Sequence, residues 1–276
     1  MASTTHAPGP PHDARGQILA GYARVGPRLV TWAILVVIVV LLGYSLTQLG
    51  LDVQRMIRGA SQIQAFWSRA FPPDMETLPR LWGPAISTVQ IAIIGTLMGI
   101  VLSLFLGAVA ARNLTPHWTI GFALKTSFAL TRAIPALIWA LLFIAAVGLG
   151  PLPGILALGV NSIGMLGKIF AEAFEEVDPG VIEAIRATGG NPLQVVVHGV
   201  IPQAMPTLVS WSIFRLDINI RYSSILGIVG AGGIGWELQR ASRMGDYPSA
   251  ITVTLVIFLT VYVIELITDQ LRKRVQ

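Results

Sequence analysis

Long apolar runs, separated by short segments rich in cations or in glycine and proline, set the pattern of this chain. A bilayer core about 30 Å thick takes about 20 mostly apolar residues per helix, so the runs can be counted directly as spans. Six are predicted: about Leu29 to Leu49, Pro84 to Ala111, a run from beyond His117 to about Gly148, Leu152 to Phe170, Ala204 to Leu226, and Ser249 to Ile267. The expected fold class is therefore an all-α integral membrane protein with about six transmembrane helices. Residues 1–28, rich in Pro, Gly, Ala and His, read as a disordered cytoplasmic tail. A cleavable signal peptide would carry its apolar core nearer the start, so the first span is expected to be a retained anchor. Residues 29–80 are expected to form that anchor and, where four arginines are interleaved with Ile, Phe and Trp, either an interfacial segment or an ordinary surface loop with a short helix. Residues 81–276 form the main transmembrane domain.

Composition agrees with the pattern. Hydrophobic residues make up 54% and charged residues 12%, against roughly 25% charged in soluble domains. The net charge of +5 does not indicate nucleic acid, because the cations flank the apolar runs, where membrane orientation accounts for them. Cations in the tail, the 112–125 loop and the C-terminus predict N-in, C-in topology, with residues 172–202 on the same side. Arg55, Arg58, Arg69 and Arg80 fall on the opposite side and count against this, but an interfacial helix weakens their vote. There is no cysteine, and the four histidines are scattered. That removes thiol catalysis and clustered metal ligands, and with them the means of an intramembrane enzyme.

The stretch "EAIRATGGNPLQVVVHGVIPQAMP" breaks the apolar pattern between the fourth and fifth spans. With the residues before it, it predicts two short helices broken at Asp178-Pro179-Gly180 and stopped at Gly189-Gly190. Asn191-Pro192 restarts the chain. The piece Pro192 to Val200 is expected to place Val196, Gly199 and Val200 on one side, and Pro202 to open the next span. Such a helical pair suits docking into a groove on another protein.

These residues resemble the EAA loop of ABC-importer permeases: Glu183, Ala184, Gly189 and Pro202 stand at the pattern's spacing. Ile185 replaces its second Ala, Gly199 its Ile, and Ile201 its Leu. "RAIPALIWALLF" and "FRLDINIRYSSILGIVGAGGIG" narrow the resemblance to the permease subunit of phosphonate and phosphate importers, the PhnE family, with Asp217 where Glu is usual. The resemblance implies a type I, MetI-like permease fold in the bacterial plasma membrane, with the loop at 172–202 coupling to an ATPase. The implied partners are a dimer of ABC ATPase subunits, an extracytoplasmic solute-binding protein, a second copy of the chain, and lipid. No cofactor belongs to the chain itself. In agreement, it has no GxxxxGK[ST] phosphate loop; "SIGMLGKI" lacks the first glycine, at Ser162, and the final hydroxyl, at Ile169.

Ionisable residues within spans line aqueous paths or pair internally. On the fifth span, helical spacing puts Arg215, Asn219 and Tyr222 on one face and Asp217, Arg221 and Ser224 on another. Asp217 and Arg221 are spaced to pair, which leaves Arg215 without a local partner. A guanidinium suits an oxyanion, so Arg132, Arg215, Asn219 and Arg221 are the candidate substrate pathway. Each has a structural alternative: an ion pair for Arg221 and Arg215, and snorkelling to the inner headgroups for Arg132 if its span starts near Leu130. Arg221 is expected near the outer end of its span and Glu265 near the inner end of the sixth. Gly230, Gly232 and Gly233 lie in a run containing G-x-G-x-x-G but lack the strand-turn-helix setting of a nucleotide site; resemblance puts them at an outer gate. The competing functions are the same architecture importing a methionine- or betaine-type solute, and an ATP-independent secondary transporter. The arginines disfavour a cation, and no inverted repeat supports the latter.

Overall fold

The computed structural model describes residues 27–49 and 53–275. They are helical between short connections, without a strand among them. All but the end of the predicted tail lies outside the described residues. The chain divides into two compact units, Met1–Ala65 and Phe66–Gln276. In the first, α1 (Pro27–Gln48) realises the first predicted span and is apolar all round, as a lipid-facing helix is. α2 (Val53–Ala70) begins in this unit. It sets Ile63, Trp67 and Ala70 on one side and Arg58, Gln62 and Arg69 on the other, the two-faced pattern expected of an interfacial helix.

The second unit carries α3 (Leu78–Ala110), α4 (Trp118–Ala133), α5 (Ala136–Val147), α6 (Pro151–Glu175) and α7 (Pro179–Ala187). α8 (Pro192–Gln194) passes through a π-helical turn (Val195–Val200) directly into α9 (Ile201–Ile228), and α10 (Ile234–Met244) and α11 (Tyr247–Val275) follow. By length and composition, four helices among the described residues qualify as spans: α1, α3, α6 and α11. The bent pair α4 and α5, taken as one span, makes a fifth. α9 has 28 residues, roughly 42 Å of helix, but Arg215, Asp217 and Arg221 interrupt its apolar run.

Several boundaries differ from expectation for physical reasons. α3 starts at Leu78 rather than Pro84, because Pro79 opens the helix and Pro84 is accommodated inside it. The third predicted span is not one helix: it breaks at Ile134-Pro135 and turns by 90°. A residue before proline is pushed out of the helical region, and Ile134 is extended, with ψ 119°. The fourth span runs on to Glu175, so the first of the two short helices predicted before Asp178 is the end of α6. Pro202 lies in the first turn of α9, as expected, although the chain is already helical from Pro192 through the π-helical turn.

The core of this unit is the parallel contact of α3 with α6. Gly95 faces Leu158, Gly99 faces Ser162 and Gly107 faces Phe170; the same 63-residue offset recurs where the Arg112 N–H donates to Glu175 Oε1 at 2.7 Å. Small residues matter here because helices in lipid associate through close packing rather than a hydrophobic force. α9 lies antiparallel across both helices, and Ser223 donates to the Thr88 carbonyl at 2.8 Å. Near the start of α3, Asp74 accepts from Thr77, from the Glu76 N–H at 2.9 Å and from Ser249 at 3.2 Å, tying α3 to α11. The Thr77 hydroxyl, then the Glu76 N–H, holds the Asp74 carboxyl below its usual pKa. Its contribution is therefore present above the unfolded pKa and lost as pH falls through the lowered one.

A side chain at Gly99 has no room, because its Cβ would overlap Ser162. Gly99→Leu should lower the stability of the detergent-solubilised protein by about 1–3 kcal/mol, the usual cost of overpacking. Gly83→Leu, at a position with open space around it, should leave it nearly unchanged. Unfolding midpoints of the two variants check this.

Candidate functional site

The polar residues that interrupt α9 meet polar residues that interrupt α3 and α6, about midway along all three helices. Arg215 is 4% exposed. Its Nε donates to Ser162 Oγ at 2.8 Å, its Nη2 to Asn161 Oδ1 at 2.6 Å, and its Nη1 lies 3.5 Å from Met165 Sδ. One turn on, Asn219 donates to Ser162 Oγ at 2.9 Å and to Thr96 Oγ1 at 2.8 Å. Ser162 and Thr96 in turn donate to carbonyls of their own helices, Leu158 and Ala92. Arg215 thus has partners, but they come from α6 and none is an acid, so the ion pair of the structural alternative is not found among the described residues. Asn219 shares this site with Arg215 as expected, whereas Tyr222 is 40% exposed and lies outside it.

The second polar face of α9 is an ion cluster. Arg221 Nη2 lies 2.7 Å from Asp217 Oδ2 and 3.6 Å from Glu265 Oε2. The Asp217 pairing was expected. The Glu265 contact was not: Arg221 and Glu265, expected near opposite ends of their spans, lie at one level. The neighbouring contact of Arg272 over the Phe214 ring, 5.6 Å from its centre, fixes the same antiparallel register of α9 and α11.

Arg132 lies in the last turn of α4, 14 residues from its start, roughly 21 Å along the helix. Arg132 therefore stands near the C-terminal end of α4 rather than near its start. The α4 backbone packs closely on α6 here, and a Cβ on Gly164 would come within 2.9 Å of the Arg132 nitrogen. The Arg132 side chain is exposed and has no hydrogen-bond or ion-pair partner among the described residues.

Gly230, Gly232 and Gly233 all have positive φ, at 101°, 80° and 77°. That lets the turn after α9 lie against neighbouring helices: the Gly230 carbonyl accepts from the Gly150 N–H at 3.0 Å, and Gly232 packs on Pro151. Thr88 Oγ1 accepts the Ile234 N–H at 2.7 Å, anchoring the start of α10.

The segment between α6 and α9 starts with Asp178 capping α7 by accepting the Gly180 N–H at 2.8 Å. Gly189, at φ 83°, ends α7 as predicted. Asn191 and Gln194 then form a reciprocal capping box at the start of α8. Glu183, Ala184 and Gly189 are exposed, as are Leu193 and Val197. The buried side of the second piece consists of Val195, Gly199 and Val200, with Val195 in the place expected for Val196. The π-helical turn accounts for this shift, because it changes the angular step between residues. Two of the three departures from the EAA pattern touch each other: Ile185 occupies the space beside Gly199, where a Cβ would meet Ile185 Cδ1 at 2.8 Å. A large residue for a small one on α7 is matched by a small residue for a large one opposite.

Sequence reasoning missed Thr88, Thr96, Asn161, Ser162 and Met165. Polar residues within apolar runs were the available signal for the first four.

Residues 103–276 match the family described as "Binding-protein-dependent transport system inner membrane component". The chain is 39% identical over 263 residues to the phosphite transport system permease protein PtxC of Stutzerimonas stutzeri, covering 95% of each chain. It is 40% identical over 218 residues to the phosphate-import permease protein PhnE of Mycolicibacterium smegmatis, covering 79% of this chain and 41% of that one. These relatives are permease subunits rather than enzymes. Among solved structures, the MetNI methionine ABC transporter in an inward-facing conformation shares the fold, with a TM-score of 0.62 at 23% identity over 74% of this chain and 99% of that one.

The matched pair in the α7–α9 segment can be checked directly. Ile185→Ala should cost about 2 kcal/mol, the lower end for such truncations because the site is half-buried. Gly199→Val should cost about 1–3 kcal/mol by overpacking. The double variant should be more stable than the sum of the two losses by about 1 kcal/mol or more, since the carbons removed at one position are restored at the other. A double-mutant cycle on unfolding midpoints measures this.

Proposed function

This chain belongs to the binding-protein-dependent transport system inner membrane components, and on that premise we propose that it forms the transmembrane pathway for a phosphite-, phosphate- or phosphonate-type oxyanion in an ATP-driven importer. One observation carries the substrate class. Neither Arg132 nor Arg215 has an acid partner among the described residues, and the backbone of the first and the guanidinium of the second meet the same stretch of α6, Asn161 to Met165. A permanent charge inside a span is costly unless compensated, and a tetrahedral oxyanion is the compensation their planar donors fit. Arg132, exposed and unpaired, is the contact for the passing anion. Arg215 and Asn219 form the polar wall behind it. Arg221 is tied to Asp217 and Glu265, so its part is structural.

The exposed face of α7 and α8, with Glu183, Ala184, Gly189, Leu193 and Val197, serves as the docking surface for an ATPase subunit. Pro202 lies in the continuous helix that joins this face to α9. Apolar side chains exposed on a polar segment fit a groove on a partner. In this reading both termini and the docking segment lie on the cytoplasmic side. The glycine turn at Gly230, Gly232 and Gly233 then forms an outer gate, facing the solute-binding protein. A second copy of the chain completes the pathway, and α2 lies along the outer interface.

The test is uptake by the chain co-assembled with its ATPase and binding protein in liposomes, with phosphite, phosphate and methylphosphonate as competing substrates. Arg132→Ala should raise the KM for uptake at least about tenfold, the weight of one charge-assisted hydrogen bond, with assembly unchanged. Glu183→Ala should preserve assembly of the pathway yet lower import per ATP hydrolysed. Normal anion uptake by Arg132→Ala and Arg215→Ala together would overturn the oxyanion pathway. Vigorous uptake by the lone chain without ATP would overturn the importer reading.

A further inference from the structure

We infer that Asn161 is a positioning residue that holds the break between α4 and α5 and so sets where Arg132 stands; the inference rests on the pathway reading of Arg132. The break at Pro135 leaves the carbonyls at the end of α4 without the donors a continuous helix would supply, those of Thr131 and Ile134 among them. Thr131 loses its partner because Pro135 has no N–H. Ile134 loses its partner because the Ile138 N–H turns to the Pro135 carbonyl, at 3.0 Å. An unsatisfied carbonyl is costly inside a membrane span. Each of these carbonyls is met by one side chain: Trp139 Nε1 donates to Thr131 O at 3.4 Å, and Asn161 Nδ2 donates to Ile134 O at 3.3 Å.

Asn161 therefore faces two ways. Its Oδ1 accepts from Arg215 Nη2 at 2.6 Å while its Nδ2 holds the break. Arg215 can only donate and a carbonyl can only accept, so the two partners together fix the orientation of the amide. The position demands an acceptor and a donor on one short side chain, which a carboxylate does not supply. Gly164 completes the seat, because its missing Cβ admits the Arg132 backbone against α6. The permanent charge of α9 is in this way connected, through one amide, to the residue two places beyond Arg132.

The decisive variant is Asn161→Asp, which keeps the acceptor for Arg215 but loses the donor to Ile134. The chain has no cysteine, so cysteines introduced at Phe122 and Leu142, exposed positions on the two half-helices, can carry unique spin labels. The protein is the full importer complex in lipid nanodiscs, with phosphite as the uptake probe. Asn161→Asp and Asn161→Ala should both shift or broaden the distance between labels and raise the KM for phosphite by roughly tenfold, as displacement of a binding group does. Adding the neutral Asn161→Ala to Arg132→Ala should change KM no further. Co-purification with the ATPase identifies any variant that fails to assemble, and Asn161→Ala then serves in place of Asn161→Asp. A label distance in Asn161→Asp identical to the parent would overturn the inference, because the amide would then serve Arg215 alone. Unchanged KM in Arg132→Ala would instead sink the pathway reading, and the label distances would still decide the role of Asn161.

Discussion

Arg215 brings a permanent positive charge to the middle of α9, and the burial of that charge dictates much of the surrounding architecture. Three helices have to meet there, because the donors of a guanidinium cannot be left unsatisfied within a span. α6 supplies Asn161 and Ser162, and α3 supplies Thr96 through Asn219. These partners are reachable only because Gly95 and Gly99 bring α3 against α6 in a parallel register. The glycines and the polar residues are therefore one device: close backbones first, then short polar side chains shared among the three helices.

The same helix carries that constraint toward the α7–α8 segment. From Pro192 to Ile228 the chain is continuously helical, through the π-helical turn. The exposed face at Leu193 and Val197 and the buried arginine are thus parts of one rod. A displacement of the α7–α8 pair is delivered to Arg215 without a loop between them to absorb it. The π-helical turn lies along this rod, and Ile185 packs on Gly199 at its side.

The helices and the stop of α7 were legible in the sequence because they depend on local signals. Gly189 ends α7 through its own φ, and Asn191 caps α8 through a residue three places on. The break at Ile134-Pro135 was legible in the same way, since proline restricts the residue before it, yet the apolar run conceals it from a count of spans. The partners of Arg215 were not legible. They depend on the register in which α9 crosses α6, and Asn161 and Ser162 are far from Arg215 along the chain. Depth was misjudged for a related reason: counting residues from a span end ignores how far α11 extends beyond α9, so Glu265 stands level with Arg221 rather than at an inner end.

Two arginines six residues apart on one helix thus have opposite fates, and the difference lies in their neighbours rather than in their own chemistry. Arg221 has acids on two helices and is half-exposed; its charge is cancelled where it stands, so it has little left to offer an anion. Arg215 is enclosed by neutral acceptors, which satisfy its hydrogens without cancelling its charge. A cluster of this kind keeps a positive potential inside the span while remaining closed to direct contact. Arg132, on the neighbouring α4, has neither acid nor amide among the described residues. The positive potential of the first and the free donors of the second are complementary, and Asn161 is the side chain that ties the first to the break beside the second.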